Sequence, residues 1–353
     1  MNKKLKTNVK TNLIIRCLTK QSRGFGHLSR DLIVAKKLRQ KKHKILFVID
    51  KNLLAENELK NNRFRYVILP NFTPKKESEF IIMMMEKMLC HTILIDLRDH
   101  GEDLSRQLFY AKKKIILIDD AWCKKAYADL VFNGTVIKDF QKYEKINKFS
   151  KLFLGPSFFI TNPNFHTNKK QLIEIRKKKK YTITISIGGY DPKDLTTKIA
   201  GSLQQLSNIE LKIIIGPFFT RQKKLENLVN KNKNMKLIYS PRKIWKEFKQ
   251  SDLVISNAGN TLYELAIMRV PTLCIFGLHE KAYANEFFNL GFAKNLGDRN
   301  KLNLDKIRKE VISILDNTKE RKQMCSSSSH INFKNGLETI QIIDKFLKNK
   351  KIN

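Results

Sequence analysis

Short apolar runs recur along the chain, and several end in glycine or an acidic residue. NLIIRCL (12–18), KILFVID (44–50), RYVILP (65–70), HTILIDL (91–97), KIILIDD (114–120), DLVFN (129–133) and KLFLG (151–155) are too short for helices and read as buried strands. KQSRGFGH follows the first run, and LSRDLIVAKKLRQ (28–40) then places its apolar residues at helical spacing. Strand, glycine loop and helix is the opening unit of a mononucleotide-binding α/β domain. Later intervals leave room for crossovers, so the pattern predicts a parallel sheet without fixing its strand order.

The pattern breaks at ITNPNFHTNKKQLIEIRKKKK (160–180), where Pro163, three asparagines and the Arg176 to Lys180 basic run predict exposed chain between two domains, with room for a short helix. The expected organisation is a first domain over 1–163, a linker over 164–180 and a second domain over 181–353. In the second half YTITISIGG (181–189), ELKIIIGP (210–217), MKLIYS (235–240), DLVISNAG (252–259) and PTLCIFG (271–277) repeat the strand signature. TRQKKLENLV and TLYELAIMR read as intervening helices, and CSSSSH (325–330) reads as a hinge or turn. GLETIQIIDKFLKNK (336–350) carries Ile and Leu at helical spacing and would close the second domain as an amphipathic helix. The fold class expected is therefore α/β, with two Rossmann-like domains holding a ligand in the cleft between them.

Composition sharpens this only in part. A chain of 353 residues with 42% hydrophobic content can close two cores. Its formal charge of +36 creates a field that favours anions, be they nucleic acid, acidic phospholipid or a diphosphate. The lysines are spread along the whole sequence and form no tail or stripe. No specific nucleic acid is therefore expected, and any contact with an anionic membrane would be peripheral. The five cysteines, Cys17, Cys90, Cys123, Cys274 and Cys325, make no CxxC pair, which argues against a structural zinc or a disulfide scaffold and fits a reducing, cytoplasmic compartment. No uncharged apolar run approaches the ~20 residues that span a membrane. No metal and no cofactor are expected, and the protein is expected to be a monomer.

Candidate chemistry clusters after the strands, where open parallel sheets gather their ligands. Gly24-Phe25-Gly26-His27-Leu28-Ser29-Arg30 lies between strand and helix, yet it is neither GxGxxG nor a Walker loop. Gly24 and Gly26 would let backbone approach a ligand, and His27 has an intrinsic pKa suited to proton transfer or could cap the helix. Arg30 could neutralise a phosphate or fix the loop through a salt bridge. Gly188, Gly189 and Asp191 form a second glycine turn, where Asp191 could charge the cleft or cap the helix after Pro192. Ser256, Asn257, Ala258, Gly259, Asn260 and Thr261 precede another helix whose first amides could meet a diphosphate, and Glu264 could accept both hydroxyls of a ribose diol. Asp96, Asp99 and His100 follow one strand, Asp119 and Asp120 another, and these could hold sugar hydroxyls or serve as caps.

Taken together, GFGHLSR (24–30), LIDLRDH (94–100), ILIDDAW (116–122), DLVFN (129–133), LFLGPSFF (152–159), SIGGYDP (186–192) and SNAGNTLYELAIMRVP (256–271) resemble, in order, the PseG-like UDP-2,4-diacetamido-2,4,6-trideoxy-β-L-altropyranose hydrolases. The chain resembles MurG-like glycosyltransferases more distantly. The resemblance implies a two-domain fold of the GT-B type with the nucleotide on the C-terminal half. It implies a catalytic histidine at His27, and phosphate and ribose contacts at Ser256 to Glu264. His279 and Glu280 stand where relatives carry Asn-Gln, and Asn162 stands where they carry Arg, so the sugar pocket is expected to differ.

Three readings follow. In the first, a UDP-linked diacetamido-trideoxyhexose is hydrolysed at the anomeric C–O bond, releasing UDP and a sugar for nonulosonic acid synthesis. In the second, the same nucleotide sugar donates to a glycan, lipid or protein acceptor. In the third, the chain is a non-catalytic basic protein that binds nucleic acid or an acidic membrane. The fold does not choose among them.

Overall fold

The computed structural model describes residues 11–20, 26–120, 122–334 and 336–352. The chain divides into two compact units, one formed by 1–161 together with 333–353 and the other by 162–332. Each is an α/β unit built on an all-parallel sheet.

In the first unit, seven strands lie in the order β3-β2-β1-β4-β5-β6-β7. They are β1 (Leu13–Cys17), β2 (Ile45–Asp50), β3 (Arg65–Leu69), β4 (Thr92–Asp96), β5 (Lys114–Ile118), β6 (Leu130–Asn133) and β7 (Lys151–Leu154). Helices α1 (Gly26–Gln40), α2 (Leu53–Asn61), α3 (Pro74–Lys87) and α4 (Gly101–Tyr110) make the early crossovers. Strand β1 pairs on one side with β2 and on the other with β4, so the strand order reverses there. Both faces of the sheet are covered. Leu13, Ile15 and Cys17 pack with Leu28 and Leu32 of α1, whereas Ile14 shares the opposite core with Ile81, Met85 and Leu104. Burial on both faces explains why these strands read as continuous apolar runs instead of alternating ones.

The second unit repeats the plan with six strands in the order β10-β9-β8-β11-β12-β13. These are β8 (Tyr181–Ser186), β9 (Ile209–Ile215), β10 (Met235–Tyr239), β11 (Leu253–Asn257), β12 (Thr272–Phe276) and β13 (Ala293–Asp298). Helices α5 (Leu195–Leu203) and α6 (Asn260–Met268) follow β8 and β11, the two strands that flank its reversal. Gly188 takes a left-handed φ of 108°, which glycine adopts without penalty. A Cβ at Gly216 would lie 2.4 Å from the Gly189 Cα, so the turns after β8 and β9 touch through bare backbone.

Three expectations need correction. The segment 164–180 is largely exposed over 171–180 and carries the short helix Pro163–Thr167 with a 3-10 turn at Leu172–Glu174, but it belongs to the second unit and is not a linker between the two. There Lys170 is buried with its ammonium on the Ser251 carbonyl, and Lys178 pairs with Asp252 at 2.7 Å. CSSSSH is no turn, because Cys325 to Ser329 continue the helix Thr318–Ser329, with Ser328 Oγ donating to the Cys325 carbonyl at 2.8 Å. Serine hydroxyls that bond the preceding helical turn are compatible with a helix despite their turn preference. Finally, the C-terminal helix Leu337–Leu347 belongs to the first unit. Ile340 and Ile343 complete the core over α1, and His43 Nε2 lies 2.7 Å from Asp344 Oδ1. Helical periodicity specifies an apolar face but not the surface that will cover it.

Candidate active site

In the first unit the strand reversal between β1 and β4 opens the sheet at its carboxyl end, and the most polar buried cluster forms there. Gly24 lies outside the described residues, while Gly26 begins α1. One residue on, His27 Nδ1 sits 2.7 Å from Oδ1 of Asp96, the last residue of β4. Arg30, one turn further along α1, donates from Nε to Asp96 Oδ2 at 2.6 Å and from Nη1 to Asp120 Oδ1 at 2.8 Å. Asp96 has no exposure and its ring partner His27 very little.

Burial alone would raise the Asp96 pKa, but the Arg30 guanidinium and His27 hold it well below the ordinary carboxylate range. The short contact of His27 Nδ1 with this carboxylate places the ring proton on Nδ1 and leaves Nε2 as the acceptor. A histidine oriented in this way can take a proton from a hydroxyl and have the resulting imidazolium stabilised from behind. Arg30 is buried and pairs with Asp96 and Asp120, so of the two roles open to it the salt bridge is present in the structure.

Two buried acids frame this dyad. Asp31, one helical turn after His27, has no exposure, and among the described residues neither of its oxygens has a hydrogen-bond partner. Burial and the Asp96 charge push its pKa well above the usual range. Asp119 is pushed up to about 6, chiefly by burial, and accepts from Tyr143 Oη at 2.6 Å and the Trp122 amide at 2.9 Å. Tyr143 in turn accepts from Asn133 Nδ2 at 2.6 Å, at the end of β6. Spacing along the chain carries no sign of Asp31, Tyr143 or Asn133. An aspartate four residues after His27 is the one available hint.

His100 does not join this group. It ends the loop before α4 with Nε2 3.2 Å from Glu77 Oε2, in a network built around the buried Arg16. Arg16 pairs with Glu77 at 2.7 Å and with Asp50 at 2.9 Å, both of whose pKa values are lowered against the burial that would raise them. This is a clamp joining β1, β2 and α3 on the other face of the sheet. Asp99 stands exposed on the loop after β4.

The second unit has its own polar carboxyl-end cluster at the corresponding reversal, between β8 and β11. Asp191 is taken by the helix start: its oxygens accept from the Leu195 amide at 3.1 Å and from the Thr196 amide and hydroxyl at 2.8 and 2.7 Å. The capping alternative is the one realised. After β11, Ser256 is buried with its hydroxyl on the Asn257 carbonyl, the Asn257 Oδ1 is a buried acceptor without a partner among the described residues, and the Ala258 amide bonds the Ile275 carbonyl. Gly259 precedes α6 with no side-chain cap, and the place its Cβ would occupy is open. Asn260 and Thr261 therefore begin a helix whose start carries no side-chain cap. Glu264, one turn in, is half-buried, makes no side-chain hydrogen bond among the described residues, and has its pKa pushed up to about 8 by desolvation.

After β12, Glu280 closes the turn by accepting from the Gly277 amide and from Arg299 Nη2, each at 3.1 Å. Its charge is thus paired by Arg299, a residue that sequence analysis did not single out. The His279 side chain lies outside the described residues.

No protein-family model matches the chain. It is 25% identical to the spore coat polysaccharide biosynthesis protein SpsG of Bacillus subtilis over 78% of this chain and 80% of that one. It is 23% identical to the UDP-2,4-diacetamido-2,4,6-trideoxy-β-L-altropyranose hydrolase of Campylobacter jejuni, over 70% of this chain and 84% of that one. An uncharacterised protein of Methanocaldococcus jannaschii is 25% identical over 72% of this chain, which spans only 53% of that protein. Among solved structures, MurG of Acinetobacter baumannii superposes with a TM-score of 0.70 at 16% identity, covering 95% of this chain and 99% of that one. The fold is the two-unit α/β architecture of the GT-B class.

Proposed function

We propose that the protein is an enzyme that transfers a sugar from a UDP-sugar to a hydroxyl, with His27 taking the hydroxyl proton. The observation that carries this reading is the His27–Asp96 pair at 2.7 Å, whose buried carboxylate is held ionised by Arg30. In the reaction, the acceptor O–H proton passes to His27 Nε2, the new oxygen–carbon bond forms at the anomeric carbon, and the bond to the β-phosphate oxygen breaks with its electron pair leaving on UDP. The second unit supplies nucleotide recognition: the uncapped amides at the start of α6 suit the diphosphate and Glu264 the ribose diol.

In this reading the acceptor is a hydroxyl of a sugar, a lipid or a protein, and the GT-B fold is compatible with each. A second reading has its own support. The relative named as a UDP-diacetamido-trideoxy-altropyranose hydrolase covers 70% of this chain, and in that case water takes the acceptor's place.

Both are tested by incubating the protein in ¹⁸O-water with a panel of UDP-hexoses and UDP-acetamidohexoses, with and without glycan acceptors, and following products by mass spectrometry. The expected result is UDP release that depends on acceptor and falls by about 100-fold or more in His27→Ala with folding intact by circular dichroism. Label appearing in free sugar without acceptor would assign water as the nucleophile. A His27→Ala protein with unchanged turnover would remove the dyad from the chemistry.

A further inference from the structure

In a parallel sheet every strand is entered from the same side, so the connections preceding the strands gather at the end opposite the carboxyl-end cluster. In the first unit this amino end has an unusual composition. The segments leading into β4 (87–91), β5 (110–114) and β7 (145–151) hold seven lysines and no carboxylate. Each also leaves one large apolar side chain in water: Leu89 at 68% exposure, Tyr110 at 70% and Phe149 at 90%.

These side chains stand on held backbone. Leu89 adopts a left-handed φ of 48°, a conformation that glycine takes at lower cost at a helix end. The Phe149 amide donates to Oδ1 of the buried Asn147 at 3.1 Å, and the Ser150 amide to the Asn147 carbonyl at 2.9 Å. Asn147 also donates its own amide to the Ala126 carbonyl at 3.0 Å, one residue from Tyr127, whose ring packs against Tyr110 with centroids 6.5 Å apart. The Phe149 turn and Tyr110 are therefore neighbours on one face. Of the nearest acids, Glu86 pairs with one of the seven lysines, Lys113, and Glu144 pairs with Lys125 outside these segments, so the face keeps a net positive charge.

We infer that the amino-end face of the first unit docks on an anionic lipid bilayer, with Leu89, Tyr110 and Phe149 entering the headgroup boundary and the surrounding lysines meeting lipid phosphates. Apolar tips ringed by cations match such an interface on both counts: the tips gain by leaving water, and each cation near an anionic surface adds attraction. A polyanion such as nucleic acid uses the cations and can stack on Tyr110 and Phe149, but it gives an aliphatic tip such as Leu89 nothing to stack on. Among the described residues no helix is long and apolar enough to cross a membrane, and the contact inferred here is made by the exposed side chains of these three segments. It is independent of the proposed chemistry and leaves the opposite, His27-bearing end of this sheet uncovered.

The test uses the full chain in co-sedimentation with phosphatidylcholine vesicles with or without about 30% phosphatidylglycerol. We expect binding that needs the anionic lipid, and a loss of about tenfold or more both in Leu89→Ser/Tyr110→Ser/Phe149→Ser and in Lys112→Glu/Lys148→Glu. All five substituted positions are exposed to solvent, and thermal melts check that the variants fold. Phe149→Trp should add emission, relative to the unsubstituted protein, that shifts to the blue on vesicles and is quenched by brominated acyl chains. Failure of the protein to bind anionic vesicles overturns the inference. So does a serine variant that binds like the parent, or an added tryptophan signal that stays unshifted when the Phe149→Trp protein is bound. A serine variant that loses heparin affinity in the same proportion would make the face a polyanion site instead.

Discussion

A carboxyl whose pKa is pushed up to about 8 is mostly protonated at neutral pH, and Glu264 rests in that condition with no partner for its oxygens among the described residues. Accepting both hydroxyls of a ribose diol calls for the ionised form. Affinity for a UDP-sugar, whose diphosphate does not titrate in this range, should therefore rise by up to tenfold per pH unit from pH 6 toward 8 and level off above it. The sign for stability is opposite: the unfolded carboxyl ionises near ~4.3, so the native state loses this contribution as pH rises from there to about 8. Calorimetric titrations at several pH values, repeated with Glu264→Gln, separate the effects. A slope that survives in the glutamine variant would show that another group carries it. Glu264 can be named from sequence because strand, glycine loop and helix announce its surroundings. Asp96 is visible there only as one acid after a strand, since its partner His27 lies 69 residues away and pairing at that separation is decided by strand order. Asp31 is marked in the sequence only by its spacing from His27, and packing shows it to be buried.

At the scale of elements, the loop between β11 and α6 invites a direct experiment. Gly259 has an ordinary negative φ, and a Cβ added there would meet nothing within 4 Å, so the fold does not require glycine at this position. Gly259→Val should melt within a few degrees of the parent, as substitutions away from packed groups do, yet weaken UDP binding by about tenfold or more if phosphate occupies that space. Equal affinity in the two proteins, measured by calorimetry, would reduce the loop to a plain turn. The strands around it are legible because buried parallel strands have an apolar signature on both faces. The helix carrying CSSSS is not, because the turn preference of serine is local whereas its place in the structure is set by Cys325 and Met324, which are buried beneath it.

For the molecule as a whole, the two-domain plan can be read in the sequence and the ownership of the last helix cannot. Ile340 and Ile343 would satisfy either core, and the choice is made by His43 and the flank of α1, some three hundred residues earlier. Deleting 337–352 should uncover Leu38 and its neighbours and unfold the first unit at lower temperature. Limited proteolysis should then cut within 11–161 while 162–332 persists, and a fragment pattern showing loss of the second unit first would contradict this assignment. The return of the chain also bears on the order of folding. A domain made of contiguous sequence can fold as soon as it has emerged from the ribosome, and earlier domains usually finish first. Here the first unit lacks the cover for α1 until residues 337–347 have been made, although its sheet is synthesised by residue 154. The second unit, complete at residue 332, is thus free to reach its native state while the first still waits, with one apolar flank open to water, for the final helix of the chain.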